Sequence, residues 1–183
     1  MEDIYHIEGK ETLAPAKLLA VERALRELRD KRTIEASLSR LPPLPDFEDA
    51  DFLLPKHPDY NKYLPLHNRR NNLAPSLRII CKSTRAVAES IKWIVSCDLE
   101  LALRSGGHCF EGFSQTEGVV IDLRRMDLVV VDPIAETVTV GAGADLGMVY
   151  RKVAASGFAF AAGSCPTVGV AGHTLGGLSL IHI

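Results

Sequence analysis

The sequence lacks any uninterrupted apolar stretch of the length that a membrane-spanning helix needs. Its beginning is dense in Glu, Lys and Arg and lacks the apolar segment of a signal peptide. A strong charge of either sign is also absent, since the formal net charge is -2 over 183 residues, and no nucleic-acid-binding surface is indicated. We therefore expect a cytoplasmic protein that crosses no membrane and binds no nucleic acid.

Metal-binding cysteine pairs and two common catalytic signatures are missing as well. The four cysteines are so irregularly spaced that no CxxC pair exists for zinc or redox chemistry; they are Cys81, Cys97, Cys109 and Cys165. The sequence has no GxxxxGK(S/T) phosphate-binding loop and no GxSxG nucleophile elbow. We expect no metal site, and neither nucleotide triphosphate hydrolysis nor serine hydrolase chemistry is indicated.

The first third of the chain has the pattern of a peripheral segment. Apolar residues recur at three- and four-residue steps within residues 12–32, which predicts an amphipathic helix. The members of this stripe are Leu18, Val21, Leu25 and Leu28. A segment rich in Pro and charge follows from residue 41. We interpret residues 1–60 as this helix with an extended linker, and residues 61–177 as the domain.

The last six residues, LSLIHI, do not continue the glycine-rich pattern before them. They match the translation of an adaptor used in transposase-made sequencing libraries. We interpret residues 178–183 as a scar and exclude them from the prediction of the fold.

The domain begins with a β-α-β pattern. An apolar run at Leu77–Cys81 predicts a strand, Ser83 predicts the N-cap of a helix, and alternation around Leu99–Leu103 predicts a second strand. Strands are also expected near Val119–Leu123, Val129–Val131 and Thr137–Val140. Because helices and strands do not alternate strictly, the expected class is α+β.

A further helix is expected after the turn GAGADLG at residues 141–147. Such a turn between a strand and a helix suggests a dinucleotide-binding fingerprint, but it has one residue too many before the third glycine, and Asp145 would face the pyrophosphate. We interpret Asp145 as the N-cap of this helix and Gly157 as its C-cap.

Two glycine-rich loops carry the candidate chemistry. The first, RSGGH at residues 104–108, follows a strand, and its paired glycines allow the backbone to approach an anion such as a diphosphate. Arg104 would add a fixed positive charge there, and His108 places an imidazole at the end of the loop. A tight turn in which His108 caps a carbonyl explains these five residues equally well.

The second loop, GSCPTVGVAGHTLGG, spans residues 163–177. Its glycines and small side chains predict a surface lined by backbone rather than a packed core element. The chain has no Asp or Glu after Asp145, which suits an anion-binding segment. Taken alone, Cys165 is more often a small buried residue than a reactive thiol, and His173 is expected to contact backbone within the loop.

These strings, in this order, strongly resemble the FAD-binding PCMH-type domain of the vanillyl-alcohol oxidase superfamily, in its branch of berberine-bridge and glucooligosaccharide-oxidase-like enzymes. The resemblance is carried by RSGGHCFEGF, GVVIDLRRMDLVVVDPIAETVTVGAGADLGMVY and GSCPTVGVAGHTLGG, and it covers Asn68 to Gly177. It implies an α+β domain, incomplete at its C-terminus here, in which two α/β subdomains hold FAD between them.

The resemblance also implies a covalently attached FAD. The family's loop histidine bonds to the 8α-methyl carbon of the flavin and its loop cysteine bonds to C6, and these residues match His108 and Cys165. The residues expected to bind the cofactor are Arg104, Ser105, Gly106, Gly107, His108, Gly112, Gly163, Cys165, Val168, Gly169, Gly172 and His173.

The reaction implied by the resemblance is hydride transfer from a hydroxyl-bearing or similarly activated carbon to FAD and then to O2. Sugars, alcohols and secondary metabolites are all candidate substrates. A dehydrogenase that uses another acceptor, and a non-catalytic fragment that is poorly soluble and free of flavin, are the alternatives.

The family's catalytic base lies in a part absent from this chain, so no catalytic residue is assigned. Cys109 and Phe110 replace the usual Ser-Tyr after RSGGH, which removes a polar contact near the flavin.

Overall fold

A four-stranded sheet forms the centre of the structure, a computed structural model that describes residues 41–70 and 73–177. Strand β1 (Ala50–Leu53) pairs with β2 (Leu77–Cys81), β2 pairs with β4 (Val119–Asp122), and β4 pairs with β3 (Leu101–Arg104). The last three strands are parallel to one another. Every residue of β2 and β4 is buried, as expected for parallel strands covered on both faces.

Helix α2 (Thr84–Ser96) makes the crossover from β2 to β3. The side chain of Ser83 accepts a hydrogen bond from the backbone N–H of Ala86 at 3.1 Å, so the predicted N-cap is confirmed. The buried face of the helix packs against the sheet through Ala86 and Ile94. The predicted β-α-β unit is therefore present, although β4 lies between its two strands.

Strand β1 corrects the prediction of an extended linker for this part of the chain. Residues 50–53 pair with β2 in antiparallel register, with Phe52 opposite Ile79. A short helix, α1 (Tyr60–Tyr63), follows, and its buried Tyr60 donates a hydrogen bond to the carbonyl of Pro75. Pro and charge are common in linkers, but a charged side chain such as that of Asp51 is also common on an edge strand, which β1 is.

A second, two-stranded sheet consists of β5 (Val129–Asp132) and β6 (Thr137–Val140), paired antiparallel. Helix α3 (Leu146–Ala155) packs on this hairpin through Val149 and Val153. The predicted strands and helix are confirmed here with boundaries shifted by one residue or less.

Both predicted caps of α3 are present. The Asp145 carboxylate accepts from the backbone N–H of Met148 at 2.7 Å, and Gly157 follows the helix with a φ of 83°. This left-handed conformation is one that glycine adopts at little cost.

The second glycine-rich loop contains one more helix, α4 (Val170–Leu175). The sequence analysis did not predict this helix, of which only His173 is buried. Helices and strands occur without strict alternation, which confirms the α+β class.

Other predictions lie beyond what the structure describes. The predicted helix at 12–32 and the predicted scar at 178–183 fall outside the described residues, and the domain boundary at residue 60 stays a prediction. No helix within residues 41–70 or 73–177 is both long and apolar enough to cross a membrane.

Candidate cofactor-binding site

The two glycine-rich loops touch each other through Gly106 and Gly169. A Cβ on Gly106 would collide with the backbone of Gly169, and a Cβ on Gly169 would collide with Gly106 and with the hydroxyl oxygen of Ser105. Only residues without a side chain permit this approach. These glycines therefore hold the two predicted cofactor loops side by side.

The turn at residues 141–147 is the scaffold on which both loops are fixed. The hydroxyl of Ser105 donates to the carbonyl of Ala142 at 2.8 Å, which holds the first loop. The second loop is held by the amides of Leu146 and Gly147, which donate to the carbonyls of Val168 and Pro166 at 3.0 and 2.8 Å. The interpretation of this turn as the start of a helix is confirmed by the Asp145 cap.

The two predicted attachment residues meet at Thr167. Nε2 of His108 lies 2.9 Å from Oγ1 of Thr167, and Sγ of Cys165 lies 3.5 Å from the same oxygen. All three side chains are at least partly exposed. A nucleophilic nitrogen and a nucleophilic sulfur thus stand on either side of one hydroxyl, at the surface of the joined loops.

A second histidine stacks on His108. The rings of His67 and His108 have centroids 4.2 Å apart and an interplanar angle of 17°. The backbone N–H of His67 donates to the carbonyl of Gly107 at 3.1 Å, which keeps the segment beside the loop. Burial lowers the pKa of His108, and the nearby His67 lowers it further. The imidazole of His108 is therefore held in its neutral form, which has a free lone pair.

The thiol of Cys165 is activated by its neighbours. The side-chain hydrogen bond of Thr167 lowers the pKa of Cys165, with further lowering by the backbone of Thr167 and Val168. Hydrogen bonds to sulfur stabilise the thiolate relative to the thiol, and the thiolate is the nucleophile. The partly exposed sulfur therefore has the surroundings of a reactive cysteine rather than those of a structural one.

Arg104 has a different place from the one expected. Its side chain is 2% exposed, and the guanidinium donates to the carbonyls of Tyr63, Leu64 and Pro65 at 2.8, 3.3 and 2.6 Å. A Cβ on Gly107 would collide with this guanidinium, so Arg104 lies beneath the loop. Burial lowers its pKa to about 9, with Arg124 and Arg78 adding to the effect. Arg104 ties the end of α1 to the first loop.

Further buried charges lie on the two central strands, β2 and β4, next to Arg104. Asp122 accepts from Arg78 at 2.9 Å and from Arg124 at 2.6 Å. Arg78 and Asp122 are completely buried, and the second amino group of Arg78 donates to Gln115 at 3.0 Å. Burial alone would raise the pKa of Asp122, but hydrogen bonds and charge from Arg124, together with the charge of Arg78, hold it below its usual value. One carboxylate thus joins β2 to the end of β4 beneath the first loop.

The remaining predicted residues occupy different positions around the loops. Gly112 has a φ of 79° in the turn after the first loop. The carbonyl of Gly163 accepts from the Tyr150 hydroxyl, while a Cβ on Gly172 would have no neighbour within 4 Å. Val168 is half-buried and uses its carbonyl to hold Leu146.

His173 is a buried member of the predicted site in the second loop. Its side chain is 3% exposed, and it lies against Gly163. The ring contacts the loop without a hydrogen bond, because neither ring nitrogen has a hydrogen-bond partner within the described part of the chain. Buried nitrogens without partners are costly, and a group bound at the loops would satisfy them.

Two contributors to the site were not predicted from the sequence. Thr167 lies two residues after Cys165, so its nearness to that sulfur was a signal in the sequence itself. His67 offers no such signal, because it precedes His108 by a long stretch that includes two strands and a helix of the fold. No group of three or more potential metal ligands occurs among residues 41–70 and 73–177.

The arrangement fits FAD by the chemistry of its groups. It offers an imidazole and a thiol at the surface of the joined loops, a buried imidazole without a hydrogen-bond partner among the described residues, and two glycine loops without a carboxylate. A diphosphate and a flavin ring require close backbone approach and the absence of repelling charge.

Comparison with known proteins leads to the same cofactor. The chain is 37% identical to berberine bridge enzyme-like 2 of Arabidopsis thaliana over 142 residues, which are 70% of this chain and 26% of that protein. It is 35% identical to reticuline oxidase of Eschscholzia californica over 130 residues, covering 65% of this chain and 24% of the relative. The chain therefore spans about a quarter of the length of these curated relatives.

A solved structure and a family match complete the comparison. The crystal structure of 6-hydroxy-D-nicotine oxidase from Arthrobacter nicotinovorans superposes with a TM-score of 0.67 at 28% identity, covering 70% of this chain and 29% of that one. Residues 75–181 match the family described as FAD binding domain. This match includes both glycine loops, the scaffold turn and the residues that meet at Thr167, and this chain belongs to that FAD binding domain family.

Proposed function

We propose that the chain is the FAD-anchoring part of an oxidoreductase, with the cofactor attached covalently through His108 and Cys165. The observation that carries this proposal is their convergence on Thr167, with distances of 2.9 and 3.5 Å to one hydroxyl oxygen. A neutral imidazole and an activated thiol are both needed for nucleophilic attachment. Loops that only cradled a cofactor would require neither nucleophile.

The chemistry of attachment assigns a separate carbon to each nucleophile. The imidazole of His108 would hold the flavin at its 8α-methyl carbon, and the thiolate of Cys165 would hold it at C6. Each residue would give up one proton on attachment, and O2 would be the two-electron oxidant, leaving as hydrogen peroxide. Two tethers hold the flavin ring in one orientation relative to the loops.

The rest of the site positions the cofactor without taking part in a reaction. Gly106 and Gly169 set the spacing between the loops, and Arg104 fixes the first loop from below. His173 supplies two ring nitrogens for a hydrogen bond to the bound group. None of these residues is assigned as a catalytic acid or base.

The proposed reaction is the oxidation of a hydroxyl-bearing or similarly activated carbon of a small molecule such as a sugar, an alcohol or a secondary metabolite. FAD supplies the redox chemistry by accepting a hydride and passing the electrons to O2. The names of two relatives, reticuline oxidase and 6-hydroxy-D-nicotine oxidase, support O2 as acceptor. Transfer of the electrons to another acceptor is the alternative that the activity test distinguishes.

The test is the stability of flavin attachment in the whole protein. We expect flavin fluorescence to stay with the polypeptide after acid precipitation and denaturing electrophoresis. His108→Ala should leave a tether at Cys165, Cys165→Ala should leave a tether at His108, and the double variant should release all flavin. Retention of flavin by the double variant contradicts the assignment of these anchors.

A matched control addresses general damage to the loop. Cys109→Ala changes the cysteine next to His108, for which no attachment is proposed, and it should retain flavin as the unchanged protein does. The flavin-loaded protein should then consume O2 and release peroxide with a substrate found among sugars, alcohols and alkaloids. Reduction of an artificial acceptor without O2 consumption would establish a dehydrogenase instead.

A further inference from the structure

The hydroxyl of Thr167 is fixed in place although its side chain is exposed. The residues on either side are bound to the protein: the carbonyl of Pro166 accepts from Gly147 at 2.8 Å, and the carbonyl of Val168 accepts from Leu146 at 3.0 Å. The amide of Val168 donates to the carbonyl of Cys165 at 3.3 Å, which closes a turn around Thr167. Backbone held on both sides limits where Oγ1 can lie.

A threonine hydroxyl has one proton to donate and lone pairs to accept with. Because Oγ1 of Thr167 contacts both Nε2 of His108 and Sγ of Cys165, there are two ordered arrangements. Either the hydroxyl donates to the imidazole and accepts from the thiol, or it donates to the thiolate and accepts from an Nε2–H.

The surroundings favour the second arrangement. A thiol is a weak donor, whereas a thiolate is a strong acceptor. Hydrogen bonds from Thr167 and from the backbone of Thr167 and Val168 favour the charged form of Cys165 and lower its pKa. Burial and the neighbouring His67 favour the neutral form of His108, and a neutral imidazole that donates from Nε2 has its lone pair on Nδ1.

We propose that Thr167 is a positioning residue for both attachments, accepting a hydrogen bond from Nε2 of His108 while donating its own to the sulfur of Cys165. This inference rests on the proposed function. One hydroxyl fixes the tautomer of His108, which leaves Nδ1 as the attacking nitrogen, and it stabilises the thiolate of Cys165, whose proton passes to water. Thr167 itself forms no bond to the cofactor.

Thr167→Val removes the hydroxyl at nearly constant volume, and Thr167→Ser retains it. Thr139→Val is the matched control, because Thr139 is exposed in strand β6 on the other sheet. All variants are prepared without flavin in a riboflavin-starved host, and circular dichroism establishes that each has the fold of the unchanged protein. A valine variant that does not fold is replaced in each measurement by Thr167→Ala.

The first measurement is the rate of alkylation of Cys165 by iodoacetamide as a function of pH, followed by peptide mass mapping. We expect Thr167→Val to react about fivefold more slowly near pH 7, because loss of one hydrogen bond to the thiolate raises the pKa of the thiol. Thr167→Ser and Thr139→Val should follow the unchanged protein. A profile for Thr167→Val that coincides with the unchanged protein overturns the proposal.

The second measurement reads the tautomer of His108 from the 15N shifts of its ring in the same flavin-free samples. The unchanged protein should have its proton on Nε2. A proton on Nδ1 would mean that Thr167 donates to His108, and the proposal would then be wrong. These two measurements need no flavin, so they stand even where the proposed covalent attachment fails.

The third measurement joins the two proposals. Thr167→Val is combined with His108→Ala, which leaves the cysteine anchor, and with Cys165→Ala, which leaves the histidine anchor. We expect the fraction of covalently held flavin to fall severalfold in both backgrounds relative to Thr167→Ser. A fall in one background alone would overturn the shared role of Thr167. Release of flavin from every protein, including the unchanged one, would overturn the proposed covalent attachment. The alkylation and tautomer results would be unaffected by that second outcome.

Discussion

The imidazole of His67 lies flat on that of His108, with ring centroids 4.2 Å apart and 17° between their planes. The edge of Phe110 approaches His67 at a centroid distance of 6.4 Å. This stack covers one face of His108 and directs its Nε2 towards Thr167. It also places a second imidazole against that of His108, which adds to the lowering of the pKa of His108 by burial.

Replacing His67 should raise the pKa of His108. Burial lowers that pKa most and His67 adds to the effect, so His67→Phe should remove the electrostatic effect of the second imidazole while retaining a covering ring, and His67→Ala should remove both. We expect the pKa measured by NMR titration to increase in the order unchanged protein, His67→Phe, His67→Ala. An unchanged pKa in His67→Ala would show that the stack has no electrostatic effect.

The lowered pKa of His108 also fixes the sign of its effect on stability. The folded protein favours the neutral ring of His108. Its contribution to the free energy of unfolding is therefore fully present above the ordinary histidine pKa of 6.5, and it is lost as the pH falls from 6.5 towards the lowered pKa of the folded protein. His67→Ala should therefore weaken the dependence of the unfolding midpoint on pH in this window. Denaturant titrations at a series of pH values measure it.

Side chains at the contact between the loops should be destabilising. Gly106→Ala and Gly169→Ala each place a methyl group inside backbone atoms of the other loop, and such overpacking costs about 1–3 kcal/mol or more. Gly172→Ala is the matched control, because its Cβ would have no neighbour within 4 Å. Since Gly172 lies within α4, alanine there should stabilise by up to about 1 kcal/mol. Equal unfolding midpoints for all three variants would contradict the close contact.

The cap of α3 should tolerate other capping residues. Asp145 accepts from the amide of Met148 at 2.7 Å, so Asp145→Asn or Asp145→Ser should change the free energy of unfolding by well under about 1 kcal/mol, while Asp145→Ala should cost about 1 kcal/mol. Flavin content should be the same in all three variants. Loss of cofactor from folded Asp145→Asn protein would make this turn a cofactor site.

The buried pair of Arg78 and Asp122 should be among the most sensitive positions. Asp122→Ala leaves a completely buried guanidinium without its carboxylate, which costs about 3–5 kcal/mol. The exposed pair of Lys82 and Asp51 provides the control, since Lys82→Ala should cost no more than about 1 kcal/mol. Chemical denaturation compares them, and similar losses from both would contradict the burial of Asp122.

Low pH should remove part of the stabilisation that the buried pair of Arg78 and Asp122 provides. Burial alone would raise the pKa of Asp122, but Arg124 and Arg78 hold it below its ordinary value of 3.8. A lowered carboxyl pKa contributes stability above the unfolded value, and this stability is lost as the pH falls through the folded value. The contribution should therefore persist at about pH 5 and be lost as the pH falls below 3.8 towards the lowered value. Denaturant titrations of the unchanged protein and of Asp122→Asn at a series of pH values measure it.

The helix caps and buried strands of this protein could be predicted because each depends on residues that are near neighbours in the chain. Ser83 and Asp145 cap helices through amides three residues away, and the apolar run of β2 needs only its own side chains to indicate a buried strand. The glycine loops were identified in the same way, whereas the attachment roles of His108 and Cys165 came from the resemblance to a family. By contrast, β1 was interpreted as linker because an edge strand has little pattern of its own.

The sequence by itself determined the capped helices, the buried strands and the residue types available for anchoring a cofactor, because these depend on spacing along the chain. Only the tertiary structure decided which of these groups meet. It placed β4 between β2 and β3, directed Arg104 to carbonyls about 40 residues earlier, and brought His67, His108 and Thr167 into contact. Such contacts depend on how strands and loops pack, and packing is set by the whole core rather than by any short segment.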